Sequence, residues 1–415
     1  MPLPGSCDDD TDVWLTRMAD YLRGARYSRD GRAYVAIARR FLGDLQSKGL
    51  SIWKMQPADV TQYLSDMKRL RRSSRGARLC ESSRNSCRSA LHILLRVVHG
   101  KWPLDAVPRT AQELFRHEII DEYRGWMNEL RGLATTTQHN RCVEALRFLE
   151  WLGTRGQRDS LSTLTVVDID AYVRWRMPSL RRASKKAVTV NLRSFMRHLH
   201  GSGRICDLAS AIIGPKLYAL EGIPSALRAD EIVKVLKSVR QNRSPTGLRD
   251  FAILTLLSTY GLRAGEITAL RLEDIDWAHD RLRILHSKTG VHSELPLLPV
   301  AGEAILDYLR KGRPKSSCRE VFLRAVAPYG AFPDGSSLYA QLVNRMKAAG
   351  VSPKGKKGPH AFRHAKAAGL LRSAVPLKVI GDILGHRATQ STMSYLKLDL
   401  AELRGVALDI PKVRP

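Results

Sequence analysis

The sequence predicts a mainly α-helical chain with one small antiparallel β-sheet in its last half. Three observations carry this. Apolar residues recur every three to four positions through most of residues 12–205, the period of a helix face turned toward a core. The period falls to two in Arg281–His286 and Ser293–Leu298, on either side of Ser287-Lys288-Thr289-Gly290. That is the pattern of two strands joined by a turn. From Ala301 onward the helical period returns.

The first two elements are helical units, expected over 12–102 and 110–205. Ala38-Arg39-Arg40-Phe41-Leu42 has a counterpart in Ala145-Leu146-Arg147-Phe148-Leu149. Ala58-Asp59-Val60-Thr61-Gln62-Tyr63-Leu64 matches Val167-Asp168-Ile169-Asp170-Ala171-Tyr172-Val173, and His99-Gly100 matches His200-Gly201. Three markers in the same order read as a weak internal repeat; two unrelated helical stretches with common Leu/Arg patterning are the alternative. Each unit also carries a run of cations before its last helix, read as a basic loop. The first holds Lys68, Arg69, Arg71, Arg72, Arg75 and Arg78; the second holds Arg174, Arg176, Arg181, Arg182, Lys185 and Lys186. Recurrence at the same place favours phosphate contact over a merely solvated face.

A linker is expected over 206–225, bracketed by Ile212-Ile213-Gly214-Pro215 and Gly222-Ile223-Pro224-Ser225, where Gly and Pro break regular structure. The third region, 226–415, opens with an amphipathic helix over Asp230–Val239 and a buried one over Gly247–Thr259. The hairpin follows, then further helices.

The chain has 415 residues, which suggests about three domains at roughly 150 residues each, large enough to bury cores without disulfides. A hydrophobic share of 44% and a charged share of 26% exclude a collagen, a disulfide-rich secreted module and a largely disordered chain. The six cysteines, at 7, 80, 87, 142, 206 and 318, form no Cys-x-x-Cys pair and no zinc-ligand spacing. Met1–Asp10 lacks the basic and apolar regions of a signal peptide. Phe251–Leu257, the longest apolar stretch, is too short to span a bilayer. The expectation is a cytoplasmic protein with no membrane partner. Its 68 Lys plus Arg against 40 Asp plus Glu give a net charge of +28. A long polyanion, most simply nucleic acid, accounts for that best. On charge alone an unrelated basic enzyme or a ribosome-associated protein stays open.

The third region holds an ordered set of basic side chains and no acid pair or metal set. Arg263 lies in Tyr260-Gly261-Leu262-Arg263-Ala264-Gly265-Glu266-Ile267, with Glu266 three residues on and within reach. Lys288 sits at the hairpin tip. His360-Ala361-Phe362-Arg363 follows a basic loop, and its three-residue step puts His360 and Arg363 on one helix face. Leu384-Gly385-His386 ends a short helix, and Tyr395 follows nine positions later. Such a set suits phosphoryl transfer. Charge gathers on the equatorial oxygens of the transferring group, where fixed guanidinium and imidazole donors stabilise it. An arginine fork binds two of those oxygens at once. A tyrosine hydroxyl is a competent nucleophile when nearby cations lower its pKa, and a lysine can protonate the leaving alkoxide. Taken singly, each residue has a duller reading as a surface cation, a helix cap or a packing group. His360 and His364 have the spacing of a zinc pair but no third ligand beside them.

The order Arg…Lys…His-x-x-Arg…His…Tyr resembles the tyrosine recombinases, also called the phage integrase family. The strings that carry it are Tyr-Gly-Leu-Arg-Ala-Gly-Glu-Ile at 260–267, Lys-Thr-Gly at 288–290, Pro-His-Ala-Phe-Arg-His at 359–364, Leu-Gly-His at 384–386 and Tyr395. The similarity covers roughly 226–408. The second helical unit looks like the core-binding domain that precedes the catalytic domain in this family, and the first like a more diverged copy. The resemblance implies a site-specific DNA recombinase that cuts and rejoins strands without a metal, ATP or other cofactor. Tyr395 would form a 3′-phosphotyrosyl bond and free a 5′-hydroxyl. Arg263 and Arg363 would hold the non-bridging oxygens, and His360 and His386 would assist. Lys288 would be the general acid and Glu266 would orient Arg263. Double-stranded DNA is the implied partner, contacted by Lys68, Arg69, Arg71, Arg72, Arg75, Arg181, Arg182, Lys185 and Lys186. A homo-oligomeric, tetrameric synapse is implied too, with sister recombinases or DNA-bending proteins as further partners, and nucleoid association when DNA is bound.

Two departures stand out: Phe362 where the family usually has Leu, and Ala365 where Thr or Ser is usual. The surroundings of Tyr395 also differ. After it, Leu396, Leu398, Leu400, Leu403, Val406 and Leu408 form an apolar face suited to a neighbouring subunit, or else to its own domain. The rival functions are a topoisomerase-like or resolving enzyme of the same chemistry, and a non-catalytic DNA-binding regulator. The strong basicity and the doubled N-terminal half favour a mobile-element enzyme for integration, excision or transposition.

Overall fold

The structure is a computed structural model, and it describes residues 11–25, 27, 30–75, 81–104, 108, 110–129, 132–218, 226–286, 290–353 and 357–385. It is mainly helical with one three-stranded antiparallel sheet, as the sequence predicts. Among the described residues the chain divides into two compact units. One is drawn from Met1–Met55, Val60–Trp102 and Gly222–Pro415, the other from Gln56–Asp59 and Pro103–Glu221.

The N-terminal helices are α1 (Thr11–Gly24), α2 (Asp30–Ser47), α3 (Pro57–Arg75) and α4 (Glu81–His99). Trp14, Leu15, Met18 and Leu22 of α1 are buried, as are Phe41 and Leu42 of α2 and Leu91, Leu94 and Leu95 of α4. The helix period of these positions puts one apolar stripe of each helix into a shared core.

A second set follows: α5 (Ala111–Glu129), α6 (Thr135–Leu152), α7 (Val166–Arg176) and α8 (Arg182–Gly201). Its core gathers Phe115, Tyr123, Phe148, Tyr172, Phe195 and Leu199. Ile205, Leu208, Ala209 and Ile212 belong to the same core, so the first part of the stretch expected as a linker is packed against this bundle. Arg193 fixes it further by donating to the Ile212 carbonyl.

The repeat markers fall on corresponding helices of the two sets. Phe41 on α2 meets Tyr63 on α3 edge to face at 4.7 Å, and Phe148 on α6 meets Tyr172 on α7 in the same way at 5.0 Å. Asp59 accepts from the Gln56 N–H at 2.8 Å, and Asp168 from the Thr165 N–H at 2.9 Å. Each carboxylate satisfies an amide at the start of its helix that no helical carbonyl reaches. Each tyrosine hydroxyl also donates to a carboxylate of the helix before it, Tyr63 to Asp44 and Tyr172 to Glu144, both at 2.6 Å.

Among the described residues the two basic runs lie mostly on helices rather than in loops. Lys68, Arg69, Arg71, Arg72 and Arg75 lie within α3. Lys, Arg, Leu and Met are strong helix formers, and no Gly or Pro interrupts the run before Gly76. In the second set Arg174 and Arg176 occupy the last turn of α7, where cations complement the helix dipole. Arg182, Lys185 and Lys186 open α8 behind its N-cap Arg181, after Pro178 ends the preceding helix. Arg78 lies outside the described residues.

The C-terminal part begins with α9 (Ala229–Arg240), α10 (Pro245–Tyr260) and α11 (Ala264–Ala269). Helix α10 has a full set of boundary signals. Ser244 accepts from the Gly247 N–H at 3.1 Å, Pro245 takes the first turn, and Gly261 ends the helix in the left-handed region. It is apolar nearly all round and runs through the middle of the core. Strands β1 (Ile275–Asp276), β2 (Arg281–His286) and β3 (Val291–Pro296) pair in that order. The register sets His286 opposite Val291, so β3 starts two residues earlier than its apolar alternation suggests. Inward Leu282, Ile284 and His286 alternate with outward Arg281, Arg283 and Leu285. Helices α12 (Pro299–Lys311), α13 (Tyr339–Ala348), α14 (Pro359–Arg372) and α15 (Leu377–Ile383) complete the part. No helix among the described residues is long and apolar enough to cross a membrane.

Candidate active site

The site is built where four segments that are distant in sequence meet: the junction of α10 and α11, the end of β2, the first turns of α14 and the end of α15. Gly261 has φ 69°. A Cβ there would run into Leu384 and the stem of Lys366, so both backbone and packing call for glycine. This lets the chain turn sharply and deliver Arg263 as the N-cap of α11.

Arg263 is gripped at both ends by one carboxylate. Its backbone N–H donates to Glu266 Oε2 and its Nη1 donates to Glu266 Oε1, each at 2.7 Å. Its Nη2 donates to the Gly385 carbonyl at 3.2 Å. Glu266 is only 3% exposed. Burial works against its charge, but hydrogen bonds from His286 and from the Arg263 backbone and guanidinium outweigh that and hold the carboxyl below the usual glutamate range.

Arg363 rises from the first turns of α14 and is 4% exposed. Its Nη1 donates to the Gly261 carbonyl at 2.8 Å, and its Nη2 to the Leu384 carbonyl. The two arginines, one hundred positions apart in sequence, thus converge on the two carbonyls just before His386. Like charges repel, and these fixed carbonyl dipoles hold the guanidinium groups together.

His360 lies on the same helix as Arg363 and is exposed, its ring 6.3 Å from that of His364 one turn on. Lys288, His386 and Tyr395 lie outside the described residues, as does the apolar tail from Leu396 to Leu408. Of the expected DNA contacts, Arg181, Arg182 and Lys186 are exposed and Lys185 is half-buried, while Arg182 also lies over the Tyr218 ring at 5.3 Å. Lys68, Arg69, Arg71, Arg72 and Arg75 are placed on α3 by the backbone alone.

Two residues beside the site escaped the sequence reading. His286 is 1% exposed. Its Nδ1 is 2.7 Å from Glu266 Oε1 and its Nε2 2.9 Å from Ser293 Oγ. The available signal was its phase: in a strand whose inward positions are Leu282 and Ile284, the third is a histidine. Lys366 is half-buried one turn beyond Arg363, and burial pushes its pKa down. It follows Arg363 at helical spacing, but only the fold shows its stem packed against Gly261.

A mostly helical domain that mounts a carboxylate-braced arginine against a buried second arginine belongs with enzymes that handle charged oxyanions. Comparison with known proteins names the class. Residues 225–402 match the phage integrase family. An integrase/recombinase of Sinorhizobium fredii, y4rA, is 33% identical over 405 residues, covering 96% of this chain and 94% of its own. A second from that organism, y4gC, is 53% identical over 189 residues, 46% of this chain and 97% of its own. The crystal structure of the XerH site-specific recombinase in a post-cleavage complex with palindromic difH substrate shares the fold. It has 16% identity and a TM-score of 0.54 over 73% of this chain and 97% of that one. The chain belongs to the phage integrase family of tyrosine recombinases. It is an enzyme of site-specific DNA strand transfer.

Proposed function

We propose that this recombinase works with Tyr395 as nucleophile on duplex DNA, with Arg263, Lys288, His360, Arg363 and His386 around the scissile phosphate. The observation that carries the reading is the convergence of Arg263 and Arg363 on the Leu384 and Gly385 carbonyls, because it gathers two guanidinium forks beside the segment leading to His386. In the first step the Tyr395 oxygen bonds to phosphorus and the bond from phosphorus to the 5′ oxygen breaks. Lys288 gives its proton to that oxygen, and the phenolic proton leaves to a base or to solvent. Arg263 and Arg363 hold the non-bridging oxygens as charge builds on them. A 5′-hydroxyl from a partner strand reverses the step on the phosphotyrosine, so the bond energy stays in the ester and no nucleotide cofactor is consumed.

DNA is bound by the helical sets. Exposed cations at the start of α8 and those along α3 meet phosphates. The matched Phe–Tyr pairs and helix-starting aspartates support reading residues 12–102 as a diverged copy of 110–205, ahead of a catalytic domain over 226–415. The enzyme assembles as a homotetramer on DNA and serves integration, excision or transposition of a mobile element in the cytoplasm.

The test is covalent trapping. The chain is incubated with nicked duplexes tiled across the ends of the DNA segment that carries its gene, and run on denaturing gels. A DNA adduct is expected with the wild type, none with Tyr395→Phe, and a strong reduction with Arg363→Ala. Binding without any adduct would overturn the reading in favour of a DNA-binding regulator. Adduct formation without exchange between two duplexes would favour a relaxing or resolving enzyme.

A further inference from the structure

His286 is not among the residues assigned above, yet it touches Glu266 and packs beneath Gly385. Its Nδ1 lies 2.7 Å from Glu266 Oε1, the same oxygen that receives Arg263 Nη1. With Glu266 ionised that oxygen only accepts, so Nδ1 carries a proton and donates. Its Nε2 meets Ser293 Oγ at 2.9 Å, on the opposite strand of the hairpin. The ring also packs directly beneath Gly385: a Cβ there would clash with Cε1, Nδ1 and Nε2 of the imidazole. Finally, its own carbonyl accepts from the Gly290 N–H at 2.8 Å and closes the hairpin turn. Lys288 is the middle one of the three residues, Ser287 to Thr289, that lie between His286 and Gly290 in sequence.

One buried imidazole therefore joins the base of the Lys288 turn, the carboxylate that braces Arg263, and the residue before His386. A leucine or phenylalanine would fill the inward position of β2 equally well, as Leu282 and Ile284 do. Neither could donate to Glu266. Burying a polar ring costs free energy unless both nitrogens are matched, and here both are.

We infer that His286 is a positioning residue that docks the base of the β2–β3 hairpin onto the Arg263–Glu266 pair, and that the general-acid step given to Lys288 depends on this docking. This rests on the roles given to Lys288 and Arg263 above. Its function is geometric: the ring neither meets the phosphate nor gains or loses a proton during the step.

The experiment compares single-turnover cleavage of two versions of the duplex on which the wild-type chain forms most adduct. One has the natural 5′-bridging oxygen and the other a 5′-bridging sulfur, whose thiolate leaves without a proton. His286→Leu is expected to cut the oxygen substrate about 100-fold more slowly than the wild type, the order of loss from an ångström-scale misplacement. The sulfur substrate should recover most of that loss, with DNA affinity unchanged. His286→Asn, whose amide can replace the Nδ1 donor, should restore much of the rate on oxygen. Ser293→Ala removes the outer partner and should show the same dependence on leaving group to a smaller degree. That variant keeps the test open should His286→Leu fail to melt cooperatively. Wild-type rates in both His286→Leu and Ser293→Ala would overturn the inference. So would equal losses on oxygen and sulfur that His286→Asn does not repair, since that is the mark of a general packing defect. A wild-type chain that forms no adduct would instead remove the catalytic reading beneath it.

Discussion

Three donors meet on the Glu266 carboxylate: the Arg263 backbone, the Arg263 guanidinium and the His286 ring. The pair of Arg263 and Glu266 was visible from a three-residue spacing, since local geometry alone brings such side chains together. The third donor was not visible, because β2 and α11 become neighbours only through the tertiary fold. The same holds for Arg363. Its helix face follows from the sequence, whereas its acceptors are main-chain carbonyls 102 and 21 positions away, which no side-chain pattern encodes. Glu266→Gln should destabilise the protein by about 3 kcal/mol at neutral pH, the scale for breaking a buried ion pair from one side. The native carboxyl titrates below its unfolded value. Its stabilisation is therefore complete above the ordinary glutamate pKa of about 4.3 and is lost as pH falls through the lower native value. Urea midpoints of wild type and Glu266→Gln should differ by a constant amount at pH 7 and pH 6 and converge below pH 4. A gap that persists unchanged to pH 3 would contradict this.

Among the elements, α10 was legible to within two residues at each end, expected over Gly247–Thr259 and found over Pro245–Tyr260, because its burial leaves a continuous apolar run. The hairpin was legible in kind but two residues off in its second strand. Register there follows from the tight tip, and the outward face of β3 carries no strong alternation. The cationic runs lie mostly on helices rather than in the loops expected, because charge by itself does not break a helix. Arg and Lys are good helix residues, and here they sit at helix ends. This gives α8 a specific expectation. Its first turn holds no acidic residue, and Arg181, Arg182 and Lys186 are exposed. Replacing these three by alanine should weaken binding to any duplex and flatten the plot of log affinity against log salt by roughly 0.9 per lost phosphate contact. Fluorescence anisotropy between low and moderate salt measures it; an unchanged slope would place the DNA elsewhere.

For the whole molecule, the net charge of +28 indicated a polyanion as partner before any motif did, but it carried nothing about assembly. The apolar residues after Tyr395 bear on that. Deleting Ala401–Pro415 should weaken pairing of two DNA duplexes in sedimentation while leaving the binding of a single chain to a single site intact. Unchanged assembly would assign the tail to its own domain. The two helical sets were legible as helices from periodicity. The start of the expected linker was misjudged because Gly214 and Pro215 stand out in sequence, while Leu208 and Ile212 just before them complete a core that only the folded bundle displays.

The imidazole beneath Gly385 also bears on how this chain can drift over generations. Positions 286 and 385 lie 99 residues apart but occupy one volume, and any side chain at 385 must claim the space of the ring. A lineage that loses the histidine would leave a gap there. It could then accept bulk at 385 only by also surrendering the left-handed turn that glycine permits (φ 62°). The first change opens room that the backbone still refuses. Gly385 should therefore stay glycine whatever stands at 286, whereas a side chain at 286 is bound only to leave that glycine its place.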